Sequence, residues 1–372
     1  MTRIGILAGC LGRQDGGPET YERELIRAIA TTDRVNEYSI YSFTGTAAAC
    51  VGPLPQNMSL TVLRPRNRWI SLALTAPARI LRDRLKLLHA PLYPPPLCPA
   101  PLVFTMHDTS PIAHPEFFTP AIYRRLNPLV RSALRKARVV ICVSRHALES
   151  TAEIVGLDRK RMVVVPHGVD PKFQREPDAQ TRAAVRERLK LKRPYVLYVG
   201  KIMQRKNLVR MIEGVARLRE ATGADIEFVM VGKRLYDNGE IDRTIENLDM
   251  AGHVRELGHV ADEDLPVLYA DALIFLYVTL WEGFGLPLLE AMASGTPVIT
   301  SNVSSLPEVA GDAALLVDPL AVEEITDALM RLTNDQPLRQ ELIARGRTRA
   351  AQFTWARTAE QTIRAYQMAA EQ

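Results

Sequence analysis

The chain has 372 residues, 47% of them hydrophobic and 24% charged, with a formal net charge of +5. This composition excludes a disordered, collagenous or disulfide-scaffold protein, and the length predicts two domains rather than one. No run approaches the roughly 20 apolar residues that a bilayer crossing needs.

The four scattered cysteines, Cys10, Cys50, Cys98 and Cys142, form no C-x-x-C pair and read as reduced core thiols of a cytosolic protein. Charge is uneven along the chain. Residues 1–176 hold 24 Lys and Arg against 14 Asp and Glu, and the remainder holds 23 against 28. The first half is therefore the one suited to an anionic partner.

Ile4 to Leu11 is apolar behind Arg3 and imitates a signal peptide, but it runs straight into Arg13-Gln-Asp-Gly-Gly and reads as a first buried strand, Ile4–Ala8. Further strands are expected at Tyr38–Phe43, Ser59–Leu63, Leu87–Ala90, Leu102–Met106, Val139–Val143 and Met162–Val165. Amphipathic helices are expected at Tyr21–Ile29 and Tyr123–Arg138. Strand–helix alternation predicts a parallel sheet covered on both faces. The loop Gly9–Pro18 lacks G-x-G-x-x-G, so the dinucleotide fingerprint is absent. Gly16 and Gly17 can still let a phosphate approach the backbone; a flexible turn is the equal alternative.

Arg64–Lys86 is the most basic stretch, with Asp83 its only acid. On a helix from Ala78, Leu81, Leu85 and Leu88 are expected on one face and Arg79, Arg82 and Lys86 on another. An ordinary packing helix with a solvated basic face is one reading, and docking on anionic lipid headgroups is the other. His107 and Asp108 follow the strand Leu102–Met106 directly, which puts them at the edge where ligands of open α/β sheets bind. Ser144 is expected to cap a helix.

The texture changes at Pro171–Gln180. The expected division is a first domain at 1–176, a linker and helix at 177–193, a second domain at 194–354 and a last helix at 355–372. Strands at Tyr195–Gly200, Ile226–Val231, Val254–Leu257, Ala272–Leu276, Pro297–Thr300 and Ala313–Val317 repeat the α/β pattern. The fold class is thus α/β, as two Rossmann-like domains with parallel sheets facing a cleft. Glu282 and Glu290 flank Gly283-Phe284-Gly285-Leu286-Pro287, a Gly-rich loop leading into a helix from Pro287. Free N–H groups at such a helix start form an anion site, with Glu282 expected on its rim. Lys201 and Lys206 share one loop and suit a diphosphate, although loop lysines are usually just solvated. Asp262-Glu-Asp264 stands before Leu265 and reads as helix capping rather than as a metal-binding pair.

Glu282-Gly-Phe-Gly-Leu-Pro-Leu-Leu-Glu290 has the E-x7-E arrangement of family 4 of the glycosyltransferases, enzymes of the GT-B fold. The chain resembles that family over nearly its whole length, through His107-Asp108, Val164–Asp170, Gly200–Asn207, Gly258–Val260 and Ser304–Glu308. The resemblance implies retaining transfer of a sugar from a nucleotide donor. It implies that Glu282 contacts the donor sugar, that the backbone of Gly283–Leu286 lies near sugar and phosphate, and that Glu290 binds the ribose hydroxyls. Lys206 matches a diphosphate lysine, the Val260 backbone a base-binding position, and His107 a residue near sugar and acceptor. Lys201 stands where arginine is usual, so a point charge replaces a bidentate fork.

No metal or other cofactor is expected, and no nucleic acid. His107–Phe118 resembles the corresponding stretch of bacterial polysaccharide and O-antigen mannosyltransferases, which favours GDP-mannose over a UDP-hexose. The expected partners are a nucleotide sugar, a glycan or lipid-linked glycan acceptor, and an anionic membrane surface met by the basic first domain from the cytoplasmic side. A nucleotide-binding oxidoreductase and an inactive GT-B partner subunit are the competing classes.

Overall fold

Apolar runs become central strands in both halves, because helix-covered parallel sheets bury both faces of each strand. The computed structural model describes residues 1–235 and 239–371. These residues form two units, Met1–Gly168 with the segment from Thr354, and Val169–Phe353. The boundary falls ahead of the expected 176. The segment 177–193 belongs to the second unit, where it holds a helix, Ala179–Arg188.

The first unit contains seven parallel strands, β1 (Arg3–Leu7), β2 (Glu37–Ser42), β3 (Met58–Val62), β4 (Leu87–Ala90), β5 (Leu102–Met106), β6 (Val139–Cys142) and β7 (Met162–Val164). Their order is β3-β2-β1-β4-β5-β6-β7. Ile4 pairs with Tyr38 on one side and Leu87 on the other, so the order reverses between β1 and β4. The helix Gly17–Thr32 buries Leu25, Ile26 and Ile29 against β1, beside Val103, Val139 and Ile141. Each such side chain stabilises the fold by about 1.5–3 kcal/mol.

The last helix, Trp355–Glu371, joins this core through Trp355, Ala359, Ala365, Tyr366 and Ala369. Tyr366 Oη lies 2.8 Å from His89 Nδ1 in β4, and Thr354 Oγ1 caps the helix by accepting from Arg357 N.

One expected helix face does not form. The helix from Ala78 stops at Arg82, so Leu81, Leu85 and Leu88 share no face. Asp83 accepts from Arg79 at 2.7 Å and from the Tyr41 hydroxyl at 2.8 Å, Arg84 turns the chain with φ 52°, and Lys86 N pairs with Arg3 O to start β4. Leu85 is buried, Leu88 is a strand residue, and Leu81 is left 63% exposed.

The second unit contains six parallel strands, β8 (Tyr195–Val199), β9 (Glu227–Val231), β10 (Val254–Gly258), β11 (Ile274–Tyr277), β12 (Val298–Ser301) and β13 (Leu315–Val317). The order β10-β9-β8-β11-β12-β13 reverses between β8 and β11. Helices Leu208–Thr222, Leu286–Ala293 and Val322–Asn334 cover it with Ile212, Leu218, Leu289 and Leu329 fully buried. No helix among the described residues is long and apolar enough to cross a membrane.

Candidate functional site

A strand order that reverses splays the two following loops apart and opens a crevice at their carboxyl ends. In the second unit those loops follow β8 and β11. The β8 loop carries Lys201, Arg205 and Lys206, and the β11 loop carries Glu282. Asn207 pins them together, its side-chain amide donating to Val278 O at 2.9 Å and Pro319 O at 2.7 Å, while Leu280 N donates to Arg205 O at 3.0 Å.

Glu282 is buried there rather than on a rim, 7% exposed. Its carboxylate forms an ion pair with Lys206 Nζ and lies 3.3 Å from Arg205 Nη1. Tyr277 Oη bridges the pair, donating to Glu282 Oε1 at 3.1 Å and accepting from Lys206 Nζ at 3.1 Å. Burial works to raise the Glu282 carboxyl, but Lys206, Arg205 and Tyr277 more than offset it and hold the group below the usual carboxylate range. Two cations thus surround one ionised carboxylate, and the trio keeps an excess of one positive charge. The loop backbone is fixed from β12: Glu282 N donates to Ser304 Oγ at 3.1 Å, and Ser305 Oγ donates to Glu282 O at 3.0 Å.

Gly283 and Phe284 lead to Gly285, which caps the helix Leu286–Ala293 with φ 97°. Only glycine fits, because an added Cβ would lie 2.7 Å from Leu306 Cδ2 in a left-handed conformation. The helix starts at Leu286, four residues after Glu282, with Pro287 second; proline brings no N–H to be satisfied, and Leu288 N closes the turn on Gly285 O at 3.0 Å.

Glu290, one turn on, has separate partners. Tyr269 Oη donates to its Oε2 at 2.8 Å. Burial pushes its carboxyl up to about 7; Tyr269 and Lys172 pull down, and Asp262 and Asp170 push up. Lys172 and Asp170 belong to the second unit, although the boundary expected at 176 assigns them to the first.

Lys201 lies in the β8 loop, where its carbonyl accepts from Tyr198 Oη at 3.0 Å. Tyr198 stacks on Tyr277 at 5.9 Å between centroids, which ties this loop to the Glu282 pair. Val260 is buried just past the end of β10, where Gly258 O accepts from Gly232 N. Asp264 does not cap its helix through its side chain: the carboxylate pairs with Arg188, a partner 76 positions earlier.

In the first unit the reversal sets the loop after β1 beside the loop after β4. The β1 loop is organised by glutamates from the helix that follows it. Glu22 accepts from Gly9 N at 3.0 Å, Cys10 N at 2.7 Å and Leu11 N at 3.2 Å, and Glu19 accepts from Gly12 N and Asp15 N. Burial pushes the Glu22 carboxyl up to about 8 against the pull of its three N–H partners. Gly16 caps the helix and Gly17 opens it, with nothing within 4 Å of an added Cβ, so this is where a ligand can approach the backbone. Glu22→Ala would strand three N–H groups at about 1–3 kcal/mol each. It is expected to destabilise this unit by about 3 kcal/mol or more in urea unfolding; a loss under about 1 kcal/mol would refute the anchoring role.

His107 hydrogen-bonds the backbone of Pro91 in the β4 loop, and burial holds its ring near a pKa of about 4, so it is neutral. Its Nε2 has no partner among the described residues. With the proton on the Pro91 side, Nε2 is an acceptor ready for a hydroxyl. Asp108, grouped with it from sequence, has both carboxylate oxygens on Ser110, from N at 2.8 Å and Oγ at 2.9 Å, which is a turn cap.

Sequence reasoning passed over Arg205, Tyr277, Ser304 and Ser305 as site residues, and over Tyr21 and His167, whose rings pack on His107 at 4.6 and 5.5 Å. Arg205 could have been found from its place beside Lys206. Tyr277 gave no signal, since it reads as strand core.

Family profiles described as Glycosyltransferase Family 4 and Glycosyl transferases group 1 match residues 15–173 and 180–349. The chain is 28% identical to O-antigen chain mannosyltransferase B of Escherichia coli, over 94% of this chain and 95% of that one. It is 31% identical to an MMP alpha-(1->4)-mannosyltransferase of Mycolicibacterium hassiacum, over 72% of this chain and 66% of that one. Among solved structures, sucrose-phosphate synthase from Thermosynechococcus elongatus superposes with a TM-score of 0.77 at 20% identity, covering 99% of this chain and 98% of that one.

Proposed function

The chain belongs to family 4 of the glycosyltransferases, with their GT-B pair of Rossmann-like domains, and on that premise we propose that it transfers mannose from GDP-mannose to a growing, lipid-linked bacterial surface glycan. The relatives named as mannosyltransferases support the sugar, and one of them matches nearly end to end. The observation that carries the reading is the buried pair Lys206 and Glu282, with the part-buried Arg205 beside them, at the β8/β11 switch point.

The surplus positive charge of the three and the adjacent helix N-terminus suit a diphosphate, and the ionised carboxylate suits sugar hydroxyls. An ammonium has three donors, so Lys206 can hold Glu282 and a phosphate oxygen together. As the sugar–phosphate bond breaks, negative charge grows on the leaving diphosphate, where Lys206, Lys201 and the N–H groups of Gly283–Leu286 stabilise it. These groups do so without a metal. His107 Nε2 accepts from a sugar hydroxyl. Retention follows from attack on the face the diphosphate leaves, with a leaving phosphate oxygen taking the acceptor proton. Trapping a covalent glycosyl–Glu282 adduct would replace this route with a double displacement.

A thermal-shift comparison of GDP, UDP and ADP tests the donor. A nucleotide at 100 times its dissociation constant stabilises by about 2.7 kcal/mol, about 5–10 °C for a unit of this size. GDP is expected to give the largest shift, and GDP-mannose to be consumed on adding a glycan acceptor. A larger shift with UDP would reassign the donor to a UDP-hexose, and no shift with any nucleotide would end the reading.

Glu290 makes nucleotide binding depend on pH. Only its ionised form accepts two ribose hydroxyls, and it protonates near pH 7. The dissociation constant for GDP is expected to rise as pH falls from 8 to 6, with Glu290→Gln weak and flat throughout. Stability moves the opposite way. The folded pKa lies above the ordinary carboxylate value of 4.5, so this term is full below 4.5 and is lost as pH rises through about 7. Calorimetric titration at three pH values decides; a flat wild-type profile would remove Glu290 from the ribose.

A further inference from the structure

The helical segments Arg68–Ile70, Ser71–Thr75 and Ala76–Arg82 run on without a break. One side packs inward through Ser71, Leu72, Ala76 and Ile80. The opposite side should be polar, as on an ordinary surface helix. It is apolar instead. Ile70, Leu74 and Leu81 are 46%, 67% and 63% exposed, and Ala73 and Ala78 beside them are exposed too. Ser71–Thr75 is a wider π-helical turn between two α-helical segments, and positions 70, 74, 78 and 81, spaced four, four and three apart, form one stripe about three turns long.

Cations bound both ends, Arg64, Arg66 and Arg68 before it and Arg82, Arg84 and Lys86 after it. The only acid in the stretch, Asp83, is held by Arg79 at 2.7 Å. At the leading end Arg68 and Arg125 lie 5.0 and 5.2 Å from the ring centre of Trp69, which adds an interfacial aromatic under two further cations.

We infer that this stripe is the surface by which the chain lies on an anionic lipid bilayer, with Ile70, Leu74 and Leu81 entering the acyl boundary and the flanking Arg and Lys meeting the headgroup phosphates. It gives a place to the membrane implied by a lipid-linked acceptor and rests on that reading for its purpose, but not for its measurement. A second copy of the chain is the rival cover. Two-fold pairing across this helix, parallel or antiparallel, would set the cations of one copy against those of the other, whereas an anionic surface satisfies both ends at once.

The test is co-sedimentation of the full chain with vesicles of phosphatidylcholine alone and of an equal mixture with phosphatidylglycerol. Binding is expected only to the mixed vesicles, weakening with salt. Leu74→Ser/Leu81→Ser is expected to lower partitioning at least tenfold, and Arg82→Ala/Arg84→Ala/Lys86→Ala on the order of a hundredfold at low salt, both with an unchanged GDP thermal shift. Absence of binding to mixed vesicles, equal binding by wild type and both variants, or a dimer in light scattering that Leu74→Ser/Leu81→Ser dissolves would each overturn it. A chain that binds vesicles but no nucleotide would keep this inference and lose the functional one.

Discussion

Replacing Glu282 with alanine is expected to abolish measurable transfer, and replacing Lys206 with alanine to lower it by about 10²–10³. Each change also strands buried charge: Glu282→Ala leaves Arg205 and Lys206 facing one another, and Lys206→Ala leaves the carboxylate with Arg205 alone. Removing one partner of a buried pair typically costs about 3–5 kcal/mol, so lost activity could reflect lost folding. Two further variants separate the effects. Glu282→Gln keeps size and hydrogen-bonding shape while removing the charge, and should be nearly as inactive. Lys206→Met/Glu282→Leu removes both charges and should recover much of the lost melting temperature without recovering transfer. Melting curves and turnover measured together decide the matter. Near wild-type turnover in Glu282→Gln, or recovery of transfer in the double variant, would remove this pair from the chemistry.

Gly168→Ala is expected to detach the last helix from the first unit. Gly168 follows His167, and an added Cβ there would lie 2.7 Å from Trp355 Cα and nearer still to the Trp355 nitrogen and the Thr354 carbonyl carbon. Those are backbone atoms at the start of the helix, so no rotamer change relieves the clash. Overpacking of this kind costs about 1–3 kcal/mol, here about 2–12 °C in the melting temperature of the unit. The same shift would disturb the rings of Trp355, His167 and Tyr21 packed next to His107. Trp355 fluorescence should change together with the melting temperature. A variant as stable as the parent, with unaltered fluorescence, would show that the helix does not depend on this contact.

The strands were legible because a buried parallel strand is an uninterrupted apolar run whatever it pairs with, and all thirteen appear within a few residues of their expected limits. The Gly283–Leu286 loop was legible because left-handed backbone at Gly285 and a proline in the first helical turn both leave residue-level marks. Leu81 was misplaced because its spacing from Leu85 and Leu88 is the same whether the helix continues or stops; the stop depends on Asp83 meeting Tyr41, 42 positions away. Asp264 was misread for a like reason, its partner Arg188 lying on another helix.

By itself, then, the sequence determined the α/β class, the alternation of elements, the loops that could carry chemistry and the family whose motifs they match. Only the tertiary structure decided which charges meet: that Lys206, 76 positions away, and its neighbour Arg205 close on Glu282, that Glu290 turns instead to Tyr269, and that Asp108 caps its own turn. Local pattern reports burial and backbone conformation, which each residue expresses where it stands. Pairing depends on which strands become neighbours, and that order is settled by packing the whole sheet.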